Sequence, residues 1–398
     1  MSEESRRIIA ADVVFDGESA HRDCAVVIEG EDIVSLILRR EIPRGATVLE
    51  LPKGVWLAPG FIDIQVNGGG DILFNDEPTP EAIATILRAH RKFGTTSLLP
   101  TLITDTDEKM IAAKRAVTTI LPREPGVLGV HFEGPFISPE RLGVHRADLC
   151  RAPQPHHVEM LAPRPGGVSL VTLAPEAEPP GFVSELVAAG CKLALGHSMA
   201  TYAQTRAAMS EGLTGFTHLF NAMRPLASRE PGPIAAALES CAAYYGLIVD
   251  GEHVDPAMLR LALRAGLGHP MLVTDAMPPV GGSAQEFLLQ GRPIIVRDGR
   301  CVTTEGALAG AALDMASAVR NCVAMLDLPL ERALVFASTH PANFLGLGKR
   351  LGRLVAGYRA DMTAFDPQSI RVVATWVAGA PSTEGAPSTQ DAPSTEEW

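Results

Sequence analysis

Eight apolar runs separated by helix-like, Ala- and Leu-rich segments fill the middle of the chain, and several stop abruptly at a His, Glu or Asp. They are FIDIQVN (61–67), TTSLLPTLIT (95–104), VLGVHFE (127–133), VSLVTLAP (168–175), KLALGH (192–197), GFTHLF (215–220), YYGLIVD (244–250) and PMLVTDA (270–276). Strands buried on both faces read as continuous apolar runs, and strands alternating with helices pair in parallel. Eight repeats therefore predict an α/β fold, a parallel (β/α)8 TIM barrel. Glu133, His197 and His218 close or nearly close three of the runs, and Asp275 nearly closes the last. Such residues are foreign to a core but suit the catalytic mouth of a barrel, which the strand ends line.

The flanks have a different texture. Residues 6–58 alternate as short strands with Gly and Asp turns, and RLVAGYRADMTAFD and SIRVVATWVAG return to that pattern near the other end. A second, small β-sandwich domain built from both chain ends (1–59 and 346–379) is expected, around a barrel spanning 60–345. Within that span, 281–305 reads as a β excursion, ALDMASAVRNCVAML as a helix and ERALVFASTHPANFLGL as a further helix. The hexapeptide repeat APSTEG-APSTQD-APSTEE, from Ala380, is too polar to bury a core and is expected to be disordered over 380–398.

Composition narrows the function. The 398 residues are 46% hydrophobic and 20% charged, as in a soluble enzyme, and carry a formal net charge of -12. Nucleic acid, which needs a basic face, is excluded as a partner. An anionic substrate must be met by a few local cations. No apolar stretch is long enough to span a membrane, and the polar start MSEESRR lacks the apolar segment of a secretory leader. Six scattered cysteines without a CxxC pair read as reduced thiols in a cytoplasmic protein.

Two imidazoles and a carboxylate form a ligand set that leaves room for water on a catalytic metal, so Glu133, His197 and His218 are the candidate metal ligands. Asp275 stands where a general base would face that water. The other reading of each residue, a satisfied polar group near a strand end or a helix cap, loses force when four occupy equivalent strand ends.

In order along the chain, FIDIQVNGGG, HFEGPF, GHS, THLFNAM, SREPG, DGEHV, TDAM and GRLVAGYRADMTAFD resemble the pattern of N-acetylglucosamine-6-phosphate deacetylases, a family of the amidohydrolase superfamily. The resemblance covers the whole chain except the tail. It implies one divalent metal ion per subunit, with zinc, iron, manganese or cobalt suited to Glu133, His197 and His218. It implies Asp275 as the catalytic acid/base. Substrate contacts carry over to Asn221, Ala222, Arg229, Asp250, Gly251, Glu252, His253, Leu308, Ala309 and Gly310. Val144 and His145 lie where the family has a loop over the sugar. Either His145 or His253 would support the oxyanion, and Arg229 would meet the phosphate.

Many members of the superfamily carry an HxH pair on the first strand and bind two metals. Here the positions read Gln65-Val66-Asn67, and amides are poor ligands, so a mononuclear site is expected. Gln65 and Asn67 either bond water or substrate or simply fill the barrel floor. The implied reaction is hydrolysis of N-acetylglucosamine 6-phosphate to glucosamine 6-phosphate and acetate, in amino-sugar catabolism or cell-wall sugar recycling, by a homodimer. The alternatives are a cyclic amidase of the dihydroorotase or hydantoinase type and a non-catalytic sugar-phosphate-binding protein.

Overall fold

The computed structural model describes residues 6–382. The chain opens with strands β1 (Arg6–Phe15), β2 (Ala20–Glu29), β3 (Asp32–Leu38), β4 (Val48–Glu50) and β5 (Trp56–Pro59). β1 pairs antiparallel with β2 and parallel with both β4 and β5. Its alternating side chains feed two apolar faces: Ile9, Ala11 and Val14 join one cluster and Ile8 and Ala10 another.

The barrel begins with β6 (Phe61–Val66), followed by a small hairpin of β7 (Gly68–Gly69) and β8 (Ile72–Leu73). Its other strands are β9 (Thr95–Ile103), β10 (Gly129–Glu133), β11 (Val168–Leu173), β12 (Lys192–Leu195), β13 (Gly215–Phe216), β14 (Tyr244–Leu247) and β15 (His269–Leu272). All eight expected runs contribute one strand each, in chain order around a parallel sheet. Every residue of β6, β9 and β10 is buried, as continuous runs require. A parallel bridge between Val66 and Ala276, with the Asp275 N–H donating to Gln65 O at 3.0 Å, joins the first strand to the end of the last and closes the barrel. Below that seam the fully buried Asp63 accepts the Thr274 hydroxyl, and burial pushes its carboxyl up to about 7.

Helices cover the outside for local reasons. In Pro80–Arg91, the Thr79 side chain caps the Ala82 N–H, Pro80 supplies a preset first turn, and Ile83, Ile86 and Leu87 face inward at helical spacing.

Past the barrel, β16 (Glu286–Leu289), β17 (Arg292–Arg297), β18 (Arg300–Thr303) and β19 (Leu308–Ala311) form an antiparallel sheet where a β excursion was expected. The helix Met315–Leu326 follows. The single helix read from ERALVFASTHPANFLGL is two, Leu330–Ala337 and Thr339–Phe344, divided at Ser338. Pro341 explains the break, because it has no N–H for the carbonyl one turn earlier and its ring clashes there. β20 (Met362–Phe365), β21 (Val372–Val377) and β22 (Ala380–Pro381) then extend the first sheet, in the order β22-β21-β20-β5-β1-β2-β3. Ala380 and Pro381, the first residues of the hexapeptide repeat, are thus paired with β21. The rest of the repeat lies outside the described residues.

Candidate active site

Glu133 ends β10, while His197, His218 and Asp275 stand just past β12, β13 and β15. His197, His218 and Asp275 have φ values of +48°, +31° and +52°, a left-handed backbone that L-residues seldom adopt. Such strain persists only where surrounding structure enforces it, and it is concentrated here at the barrel mouth. Gly196 shows how tightly the turn is enforced: a Cβ there would lie 2.6 Å from Thr172 Cγ2 and 2.9 Å from Thr217 Cβ.

His197 Nε2 lies 3.1 Å from Glu133 Oε1 and 3.1 Å from His218 Nε2, and His218 Nε2 lies 3.0 Å from Glu133 Oε1. All three residues are buried. His197 Nδ1 is 2.8 Å from the Arg141 carbonyl, which can only accept, so Nδ1 carries the proton and Nε2 presents its lone pair. Lone pairs of three Lewis bases this close repel one another unless a proton or a metal cation lies among them. The donor set therefore fits a divalent metal ion, and two imidazoles with one carboxylate suit a catalytic one.

Amides and hydroxyls brace this centre. Gln65 Nε2 donates to both Glu133 oxygens at 3.1 Å and to Asp275 Oδ1 at 3.2 Å. Asn67 Nδ2 donates to the same Asp275 oxygen at 2.6 Å. Burial, then the Glu133 charge, raises the Asp275 pKa, suiting it to exchange a proton. His145 is buried beside His197, with ring centroids 4.3 Å apart, and its Nδ1 lies 2.7 Å from Thr104 Oγ1. Burial, reinforced by His197, holds the His145 pKa well below the ordinary range, so the ring is neutral. His253 Nδ1 donates to Asp250 Oδ2 at 2.6 Å.

Glu133, His197, His218, Asp275, Asn67, His145 and His253 share one cavity of about 200 Å3. Its walls include Asn221, Ala222, Ile248 and His253, together with the apolar Leu73, Ile103, Met277, Leu289 and Leu308. Leu289 and Leu308 come from the β16–β19 sheet, which roofs the mouth.

The family model described as "Amidohydrolase family" matches residues 56–384. The chain belongs to the amidohydrolase family. Among the relatives of this amidohydrolase, the N-acetylgalactosamine-6-phosphate deacetylase of Shewanella sp. (strain ANA-3) is 44% identical over 327 residues, covering 81% of this chain and 82% of that one. The N-acetylglucosamine-6-phosphate deacetylase of Haemophilus influenzae is 34% identical over 371 residues, 92% and 97% of the two chains. The crystal structure of N-acetylglucosamine-6-phosphate deacetylase from Pasteurella multocida superposes with a TM-score of 0.90 at 34% identity, covering 94% of this chain and 99% of that one. The protein is thus an enzyme, a metal-dependent hydrolase, and the cyclic-amidase and non-catalytic readings are not favoured.

The other expected contacts of this amidohydrolase divide. Val144, His145, Asn221, Ala222, His253, Leu308 and Gly310 line the cavity with Asp275 and the three candidate ligands. Asp250, Gly251, Glu252, Ala309 and Arg229 do not line it. Asp250 is committed to His253, Glu252 pairs outward with Arg300 at 3.2 Å, and Ala309, in β19 itself, is fully buried against Leu289 and Ile294. Arg229 is exposed, and Glu230 is not its partner: that carboxylate accepts the Tyr202 and Gly232 N–H groups. Sequence reasoning missed Thr104 as the anchor of His145, and the apolar wall, whose residues carry no chemical signature.

Asp107, His156 and His157 form a second group of possible ligands. Arg151 already occupies the Asp107 carboxylate, and His157 Nδ1 accepts the Gln154 N–H, which turns its Nε2 proton toward Asp107. The group ties two helix starts together. His156 and His157 pair with Asp107, as His340 does with the Pro270 carbonyl, and His269 stacks on Tyr244.

Proposed function

We propose that the enzyme hydrolyses the acetamide of N-acetylglucosamine 6-phosphate, releasing acetate and glucosamine 6-phosphate. The observation that carries the reading is the meeting of Glu133, His197, His218 and Asp275 in one cavity of a chain that matches such deacetylases over nearly its full length.

Glu133, His197 and His218 would hold a divalent cation, which would supply Lewis acidity and lower the pKa of water toward neutrality. Zinc fits the set, as do iron, manganese and cobalt. Asp275 takes the proton of the attacking water. With the Thr104 hydroxyl, 2.7 Å away, as donor to His145 Nδ1, the His145 Nε2–H is left to stabilise the charge developing on the carbonyl oxygen. Asp275 then returns its proton to the amine nitrogen, because an unprotonated amine anion is a poor leaving group. His253, oriented by Asp250, and Asn221 line the same cavity and meet the phosphate end. The protein works as a homodimer in the cytoplasm, in amino-sugar catabolism or cell-wall sugar recycling. The exposed Arg229, away from its own cavity, meets the phosphate held in the neighbouring subunit. No helix among the described residues is long and apolar enough to cross a membrane.

The test is acetate release from N-acetylglucosamine 6-phosphate by purified protein, with metal measured on the same sample. Acetate at about one metal per chain is the expected outcome; a metal-loaded protein that releases none overturns the reading. The 44% identity to an N-acetylgalactosamine-6-phosphate deacetylase favours a second reading, in which the C4 epimer is the better substrate. The ratio of kcat/KM for the two sugars decides between them.

A further inference from the structure

Beneath the candidate metal ligands a row of polar side chains crosses the barrel interior. His131, on the same face of β10 as Glu133, lies 3.2 Å from Thr101 Oγ1 through Nδ1 and 2.8 Å from Thr172 Oγ1 through Nε2. Thr172 Oγ1 in turn lies 2.6 Å from Thr217 Oγ1. All four residues are buried. Beside the row is a small cavity of about 10 Å3, with His131, Thr217, Gln65 and His218 as its polar walls. That is the space one water needs, and the polar walls offer it partners.

His218 lines both this cavity and the catalytic one. Its Nε2 faces Glu133 and His197 on the catalytic side. Its Nδ1 is buried and has no hydrogen-bond partner. The His218 carbonyl cannot serve, because it already accepts the Asn221 N–H at 2.9 Å and the Asn221 Nδ2–H at 3.1 Å. With Nε2 given to a cation, the neutral imidazole carries its proton on Nδ1. Native interiors rarely leave such a donor unmade, and a metal-bound His nearly always donates its other N–H.

We infer that one water fills the inner cavity, accepts the His218 Nδ1–H and is held by Thr217, which makes Thr217 a positioning residue for the metal centre. The row supplies a consistent direction. The Thr101 hydroxyl, 3.3 Å from the Leu99 carbonyl and 3.2 Å from His131 Nδ1, shares its proton between them, His131 Nε2–H donates to Thr172, Thr172 to Thr217, and Thr217 to the water. Both water lone pairs are then used, and one of its hydrogens reaches Gln65 Oε1, since Gln65 Nε2 is committed to Glu133 and Asp275. Aligned chains of this kind strengthen one another.

The inference rests on His218 being a metal ligand. Its test is a crystal structure of the full, zinc-loaded chain showing ordered waters, with Zn2+ affinity measured against a competing chelator for the native protein, Thr217→Val and Thr217→Ser. One water within about 3.2 Å of His218 Nδ1 is expected in the native protein. Zinc binding should weaken by about 10–100-fold in Thr217→Val and stay within about threefold of native in Thr217→Ser, which keeps the hydroxyl. Metal on His218 Nε2 with no water at Nδ1 overturns the inference. So does native affinity in Thr217→Val, or a Thr217→Ser as weak as Thr217→Val. No substrate enters these measurements, so such a failure leaves the proposed reaction standing. Metal bound without His218 overturns the ligand assignment and the inference together.

Discussion

Asn67 Nδ2 donates to Asp275 Oδ1 at 2.6 Å, across the seam where β6 meets the segment after β15. Gln65 reaches the same oxygen at 3.2 Å. The two amides that stand at the HxH positions thus act as donors to carboxylates. A hydrogen bond to the ionised carboxylate favours it, opposing the burial and the Glu133 charge that raise the Asp275 pKa. Removing the Asn67 amide should therefore raise that pKa further, so that the base is protonated at higher pH. In Asn67→Leu the acid limb of the kcat/KM profile is expected to move to higher pH, with a loss of about 10–100-fold at neutrality. A limb left in place would show that Asn67 does not tune Asp275.

Asp275 is assigned to move protons, with metal binding left to Glu133, His197 and His218. Asp275→Asn keeps the shape and removes the base. Turnover is expected to fall by about 10³-fold or more, with metal content unchanged at about one per chain. Loss of metal in this variant would place Asp275 among the ligands instead.

His145 is neutral, buried and fixed by Thr104, as a donor to a developing oxyanion should be. His145→Phe should lower kcat by about 10²–10³-fold with little change in KM, the pattern of an interaction made in the transition state. Thr104→Val, which frees the ring to adopt the wrong tautomer, should show a smaller drop of the same kind. A KM effect without a kcat effect would assign His145 to ground-state binding.

The barrel and the meeting of Glu133, His197 and His218 were legible because burial on both faces of a parallel strand writes a continuous apolar run, and a polar residue interrupts it. Even β13, only Gly215–Phe216 as a strand, was found, since GFTHLF continues its apolar run past the last paired residue. The Thr104–His145 contact was not legible, because it depends on which loops the strand order brings together. Leu289 and Leu308 were hidden differently: a leucine carries no chemical mark, and their sheet reaches the mouth by folding back over it. The break at Ser338 had a signal in Pro341, which the continuous apolar pattern outweighed. Arg229 shows the limit of motif reading, since SREPG names a residue without saying which cavity it serves.

Glu178 lies away from the proposed chemistry, yet both its carboxylate oxygens are buried without a hydrogen-bond partner. Burial, with Glu176 adding its charge, pushes its pKa from the ordinary 4.5 up to about 9. Glu176 itself is committed to the Ser198 hydroxyl at 2.7 Å and to the Met199 N–H. The unfolded chain releases the Glu178 proton near pH 4.5 while the folded chain holds it to about 9. Its contribution to stability is therefore greatest below the lower value and declines as pH rises through that window, by at most about 1.4 kcal/mol per unit. Glu178→Gln is neutral at every pH and should remove the slope. The expected result is a Tm about 2–4 °C higher than native at pH 8 and close to native at pH 4.5, measured by calorimetry on the metal-loaded protein. An equal gain at both pH values would attribute the effect to packing, and no gain at pH 8 would mean that the Glu178 carboxylate is solvated or paired in solution.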